Sequence, residues 1–360
     1  MKMKELTAAQ VDANLAVASE LDENDLVFYD VRKPPFSLYG LYNSQNEPQF
    51  KRLPDDVASA VSANVQVLYT NTAGGRVRFS TDSDVIAIKA VMSGVGRMPH
   101  FSLTGGASFD LYIDHPNGQI SQFYKTFIPP YEVENGYESE IKFNSIEQRY
   151  ITINFPTYSN VEALYVGVRS GAALGAGLTY KNELPVVYYG SSITQGGCAS
   201  RPGNVYSAVI SRRLDLDYIN LGFSGSAKGE SAMVDYIASL PMRVFVSDYD
   251  HNSSERNLAK THWALYEKIR SAHPDIPYIM VSKADIENAP AENLRRRDTI
   301  MAHFHRAKAQ GDTKVYFVDG ATIYDGPYRD MCTVDTIHPN DLGHALMADA
   351  IGMVLKNALE

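Results

Sequence analysis

Near residue 180 the texture of this chain changes, and that change limits the folds open to it more than any other feature. Downstream, short apolar runs alternate with helical patterns. Residues 184–189, 218–223, 243–248, 278–282 and 315–318 read as strands. Residues 204–214, 230–240, 254–272, 292–309 and 339–359 read as helices. Strands apolar on both faces need cover on both faces, so this half is predicted to be α/β, with a parallel five-stranded sheet between helical layers. Upstream, segments of strand character at 64–69, 76–80, 85–91, 109–113, 119–127, 139–143, 150–153 and 161–168 are separated by turn signals such as Ala73-Gly74-Gly75 and Pro116-Asn117-Gly118. Many short strands with such turns predict an antiparallel β-sandwich of jelly-roll type over roughly 20–175. Thr7 caps an expected short helix at 7–18, and the glycine-rich stretch 170–177 reads as a linker. The expected division is therefore 1–175 and 176–360.

A length of 360 residues fits two such units, and 44% hydrophobic content supplies their cores without a staple. The formal net charge of -9 argues against nucleic acid or an anionic membrane as partner, since both select basic patches. The first residues carry lysines but no continuous apolar stretch, so no signal peptide is read, and a cytoplasmic location is expected. Two cysteines, Cys198 and Cys332, exclude a disulfide scaffold, and reduced thiols are the expectation.

Parallel sheets bind ligands at the carboxyl ends of their strands, which here means the loops starting at Gly190, Phe223, Asp248, Lys283 and Asp319. The first reads Gly190-Ser191-Ser192-Ile193-Thr194, a small-residue turn that holds a serine hydroxyl at the sheet edge. A serine nucleophile needs a base. Asp335 and His338, three residues apart before the last helix, could supply one, the carboxylate fixing the ring tautomer. Gly225, after the second strand, can present a backbone N–H at close range. Asn252, after the third, carries an amide donor, and with the Ser192 N–H these would form an oxyanion hole. Each feature alone also has an ordinary reading: a Ser/Gly turn, a surface histidine, a turn glycine, a helix N-cap.

The order Ser, Gly, Asn, Asp-x-x-His across roughly 184–358 resembles the blocks of the SGNH hydrolases, also called GDSL-type esterases. That resemblance implies a flavodoxin-like three-layer α/β/α domain and a serine esterase. Ser192, Asp335 and His338 would be its triad, and Ser192, Gly225 and Asn252 its oxyanion hole, with no cofactor or metal. Two departures stand out. Ser191 replaces the usual aspartate of the first block, and Asn252 stands in Tyr249-Asp250-His251-Asn252-Ser253 rather than Gly-x-Asn-Asp. The stretch 189–203 is similar to a branch with an N-terminal sandwich fused to the hydrolase. Members of that branch include acetyl esterases acting on plant polysaccharides, among them acetyl-mannan esterases of gut bacteria, where the sandwich behaves like a carbohydrate-binding module.

The substrate implied is an acetylated oligosaccharide of mannan or xylan type. Polar residues near the serine loop, Gln195, Arg201, Asp250 and His251, are candidates to meet sugar hydroxyls, and Trp263 a candidate wall, although a core position on its helix fits Trp263 better. His251, His262 and His273 recur every eleven residues, too far apart on a helix to share a metal, and His303 and His305 point apart. Competing readings are a general short-chain esterase, thioesterase or lysophospholipase on the same scaffold, and a non-catalytic carbohydrate-binding protein. Self-association into a homo-oligomer is an open expectation.

Overall fold

A computed structural model describes residues 21–360, so the helix expected at 7–18 lies outside the described residues. Strands β1 (Leu26–Asp30), β2 (Ser37–Tyr39), β3 (Arg76–Thr81), β4 (Val85–Val95) and β5 (Phe109–Asp114) come first. They are followed by β6 (Gln122–Phe127), β7 (Gly136–Lys142), β8 (Arg149–Asn154), β9 (Ser159–Arg169) and β10 (Leu174–Ala176). One antiparallel sheet runs β1-β9-β4-β7, the other β10-β3-β8-β5-β6 with β2 beside β3. Side chains two apart point the same way along a strand. Ile86 and Ile88 of β4, Val166 and Val168 of β9, and Ile151 and Ile153 of β8 thus turn into one shared core with Val77 and Phe79.

Two expectations change in this half. Residues 64–69 are helical rather than extended: α1 (Asp55–Val61) is followed by α2 (Ala63–Leu68), capped where the Ser62 hydroxyl accepts the Val65 N–H at 3.2 Å. Val65 and Leu68 turn inward while Val67 is exposed, a spacing of three that only a helix provides. Moreover, Leu53, Ala58 and Val65 join the core of the other half, beside Val187, Leu221 and Phe223. The 170–177 stretch, read as a linker, contains β10, which pairs Leu174 with Thr81 and Ala176 with Phe79 on β3. A short turn of helix, α3 (Leu103–Gly106), completes this half.

Beyond it, β11 (Asn182–Gly190), β12 (Leu216–Gly222), β13 (Val244–Asp248), β14 (Tyr278–Val281) and β15 (Val315–Val318) form the parallel sheet, ordered β12-β11-β13-β14-β15. Counted from its own first strand this is 2-1-3-4-5, the flavodoxin-like order, whose ligand crevice opens beside the first strand. Val186, Val187, Tyr188 and Tyr189 are all buried, as a central strand covered on both faces requires. After β11 come α4 (Ser192–Gln195), α5 (Tyr206–Leu214), α6 (Ser231–Ser239), α7 (Glu255–Ala272), α8 (Pro290–Ala309) and α9 (Asp341–Leu359). Tyr188 packs with residues of α5 and α9, and Tyr189 with residues of α6, α7 and α8.

The halves are riveted at Arg52. Its buried guanidinium donates to the carbonyls of Asn71 (2.7 Å) and Leu68 (2.8 Å) on its own side, and of Asn220 (3.2 Å) and Gly222 (2.5 Å) at the end of β12. It also lies 4.5 Å from the Phe223 ring centroid. No helix among the described residues is long and apolar enough to cross a membrane.

Candidate active site

The serine loop is shaped by close approach. A Cβ at Gly190 would lie 2.0 Å from Thr194 Oγ1 and 2.4 Å from the Asp248 carbonyl, so the strand can end here only on glycine. Ser191 then opens α4, its hydroxyl accepting the Ile193 N–H at 3.2 Å. Serine and aspartate are both good N-caps, so Ser191 meets here the capping need that an aspartate would meet. Ser192 is the first residue of α4 and only 7% exposed.

Ser192 Oγ lies 2.9 Å from His338 Nε2, and His338 Nδ1 lies 2.8 Å from Asp335 Oδ2. The other carboxylate oxygen accepts the backbone N–H groups of His338 (2.8 Å) and Ile337 (3.1 Å). A left-handed Thr336, φ 65°, curls the turn tightly enough for one carboxylate to reach both backbone and ring. Asn340 follows as the N-cap of α9, accepting from Leu342 and Gly343. Partial burial works against the charge on Asp335, yet the His338 backbone N–H, the His338 ring and the Ile337 N–H together hold its carboxyl below the usual range. The arrangement keeps an anion behind the imidazole and leaves Nε2 facing the serine hydroxyl.

The proposed oxyanion donors converge on the same strand ends. Gly225 is exposed at φ 66°, and neither its N–H nor that of Ser192 has an acceptor among the described residues. Asn252, in the turn after β13, gives one amide hydrogen to the Phe223 carbonyl at 3.3 Å, which leaves the second free. The two loops are thereby tied to each other, and Ser224 N–H ties them to α4 through Gln195 Oε1 at 3.0 Å.

The sandwich supplies residues that lie outside every motif named above. His100 and Phe101, between β4 and α3, place their rings 5.3 Å and 5.8 Å from that of His338. Tyr158, at the start of the β9 segment, donates to the Ser192 carbonyl at 3.0 Å. Gly197 leaves them room, since a Cβ there would meet Phe101 at 3.1 Å and His338 at 3.2 Å.

Several expected substrate residues face elsewhere. Gln195 is fully buried, its amide bonded to Asn71, the Thr157 carbonyl and Ser224 N–H. Arg201 binds Asp110 and Tyr112 and lies 3.6 Å from the Phe123 ring centroid, so its charge is held by the sandwich. Trp263 sits in the core under Arg306 rather than in a site wall. Asp250 is fully buried and the His251 side chain 5% exposed, and they face Asp248 rather than solvent. Gln195 and Arg201 are taken up by partners far along the chain, whereas His251 faces carboxylates of its own turn.

Among the described residues, two groups of side chains offer metal-ligand atoms within 4.8 Å of one another: His100, Cys198 and His338, and Asp248, Asp250 and His251. In the first, both His338 nitrogens have partners and the Cys198 thiol donates to the His100 carbonyl at 3.4 Å. Burial pushes the Cys198 thiol up to about 12, and Asp335 adds to the effect. Cys198 and Cys332 are both free thiols.

Residues 183–356 match the model of the GDSL-like lipase/acylhydrolase family, and residues 26–174 match that of the N-terminus of SGNH-hydrolase-type esterases. The chain belongs to the GDSL-like SGNH hydrolases. Among solved structures, a putative GDSL-like lipase from Bacteroides ovatus ATCC 8483 is 26% identical, with a TM-score of 0.83 over 93% of this chain and 98% of its own. The salicylyl-acyltransferase SsfX3 of a tetracycline biosynthetic pathway is 19% identical, with a TM-score of 0.74 over 94% and 99%. A family two carbohydrate esterase from Cellvibrio japonicus is 11% identical, with a TM-score of 0.60 over 93% and 98%. No curated protein sequence matches the chain. As an SGNH hydrolase it is an esterase or acylhydrolase, built like those carbohydrate esterases from an antiparallel N-terminal unit and a parallel α/β sheet.

Proposed function

We propose that this SGNH hydrolase removes O-acetyl groups from plant-derived oligosaccharides of mannan or xylan type, through an acyl-enzyme on Ser192. The observation that carries the reading is the unbroken contact from Ser192 Oγ through His338 to Asp335. Ser192 attacks the ester carbonyl as His338 Nε2 takes its proton, and Asp335, ionised, holds the ring and stabilises the imidazolium. The carbonyl oxygen, now anionic, is met by the N–H groups of Ser192 and Gly225 and the free amide hydrogen of Asn252. His338 returns the proton to the departing sugar oxygen, then activates the water that releases acetate.

A short acyl group suits a serine 7% exposed and crowded by Phe101 and Tyr158. The sugar side rests on likeness to two-domain carbohydrate esterases, including an acetyl xylan esterase from the rumen bacterium Butyrivibrio proteoclasticus. In the cytoplasm, the expected location, the substrates would be imported oligosaccharides rather than polymer.

Mass spectrometry of acetylated mannan and xylan oligosaccharides, before and after treatment, tests the proposal, with Ser192→Ala as control. Loss of acetyl groups with wild type alone is expected. Intact acetyl groups alongside hydrolysis of acyl-CoA or lysolipid would replace it with a general acylhydrolase. Glycan binding without turnover of any ester would leave a binding protein.

A further inference from the structure

Beside the serine loop, and independent of the esterase reading, lies a second acid–histidine cluster that the proposed reaction does not use. Asp248 ends β13, and Asp250 and His251 sit in the 3-10 turn that follows. Asp248 Oδ2 accepts from Thr194 (3.1 Å) and Tyr206 (3.2 Å), and Asp250 Oδ2 accepts the Lys283 N–H at 2.9 Å. The remaining carboxylate oxygens, Asp248 Oδ1 and Asp250 Oδ1, are buried without a hydrogen-bond partner, as are both ring nitrogens of His251. His251 Nε2 lies 3.8 Å from Asp248 Oδ1 and 3.9 Å from Asp250 Oδ1, beyond hydrogen-bond reach of either. The nearby cations are engaged elsewhere, Lys283 Nζ on Asn288 (3.0 Å) and Arg296 on Glu292 (2.5 Å).

Buried polar atoms in folded proteins almost always have partners, and an exception points to an ion or water at the spot. With His251 Nε2 3.8 and 3.9 Å from the two oxygens and the ligand atoms of the three residues within 4.8 Å of one another, a point equidistant from all three lies no more than about 2.5 Å from each, within the reach of oxygen and nitrogen ligands to a divalent cation. A water would have to stand out of their plane to reach the roughly 2.8 Å of a hydrogen bond. We propose that Asp248 Oδ1, Asp250 Oδ1 and His251 Nε2 bind one divalent first-row transition cation, of the range from Mn²⁺ to Zn²⁺. Two carboxylates and an imidazole form a borderline donor set that suits those ions. The cation neutralises two buried carboxylates and fixes the turn that carries Asn252. Through Asp248 and Thr194 it also braces α4. Its role is positional, with no part in bond making.

The test is the metal content of the tag-free full chain, purified from medium supplemented with Mn²⁺ and Zn²⁺, by inductively coupled plasma mass spectrometry. About one ion per chain is expected. Chelation should lower Tm by several degrees, and Mn²⁺ returned to the chelated protein should restore Tm and give the broadened electron-paramagnetic signal of a bound ion. His251→Ala and Asp250→Asn should each reduce the retained metal to below about a tenth of an equivalent. Should either variant fail to fold, the content and spectrum of the wild type decide. A wild-type chain that carries no such metal and takes up no Mn²⁺ overturns the proposal and gives the three atoms to a shared water or proton. Equal metal in wild type and both variants overturns it too, by placing the ion elsewhere. None of these readouts requires turnover.

Discussion

Asp335-x-x-His338 and Asp248-x-x-His251 are the same four-residue pattern, yet the fold brings one pair to 2.8 Å and holds the other at 3.8 Å. At Asp335 the left-handed Thr336 curls the backbone so that two N–H groups and the ring all reach one carboxylate. At Asp248 the chain leaves a strand through Tyr249 into a 3-10 turn, Thr194 and Tyr206 hold the carboxylate by Oδ2, and Oδ1 is left 3.8 Å from the His251 ring. Spacing alone therefore does not make an acid–base pair. The turn between the residues does, together with whatever else claims the carboxylate.

The contrast can be broken by substitution. On 4-nitrophenyl acetate, His338→Ala should lower kcat roughly 10⁶-fold, whereas His251→Ala should lower it less than about tenfold. Comparable losses in both would erase the distinction. Asp335→Asn should come next, at roughly 10⁴-fold with the fold intact, because the amide favours the wrong tautomer of His338. Circular dichroism alongside kinetics would separate this from unfolding.

Histidines with no carboxylate bonded to them sharpen the comparison through pH. Burial pushes His262 down to about 3, with His303 adding to the shift. Burial likewise lowers His344 to about 4, against the partial support of the Gly197 carbonyl. Both rings stay neutral when folded but take protons near 6.5 when unfolded, so the unfolded chain binds more protons between those limits. Their share of stability is complete above pH 6.5 and should drain away as pH falls toward 4, as urea unfolding at stepped pH would read. Unchanged stability over that window would show that these rings take up protons in the fold as readily as in the unfolded chain. Asp248→Ala should cost about 1–3 kcal/mol of stability in the same urea measurement, as Thr194 and Tyr206 lose their acceptor. A neutral result would mean that the buried carboxylate braces nothing.

Much of the α/β half was legible because its information is local. A buried strand running into a small-residue turn marks the Ser192 loop, and Asp335 with His338 falls on one turn before a helix. The parallel sheet then follows from strand–helix alternation, while its flavodoxin-like order was implied only by the family resemblance. What stayed hidden depends on residues far apart in the chain. Gln195 looked like an exposed polar loop residue, yet Asn71 and Thr157 from the sandwich take up its amide. His100 and Phe101 reach His338 from an irregular stretch with no period to read. The Val65-Gln66-Val67-Leu68 run fits strand alternation as well as helical spacing over so short a window, and packing against the α/β core decided for the helix. The metal question was put to histidines at helical spacing, whereas the cluster that offers ligands draws on two aspartates and one histidine at a strand end.

Arg52 has a bearing on how such a molecule can be taken apart. Severing the polypeptide behind the sandwich would leave a charged fork with nothing but water where two β12 carbonyls had been, and would bare the apolar flank formed by Ala58 and Val65. The front half is then no detachable appendage swinging on a tether. Heat should melt the two halves in a single cooperative event, and the lip that His100 and Phe101 form over the histidine should be lost in that same event.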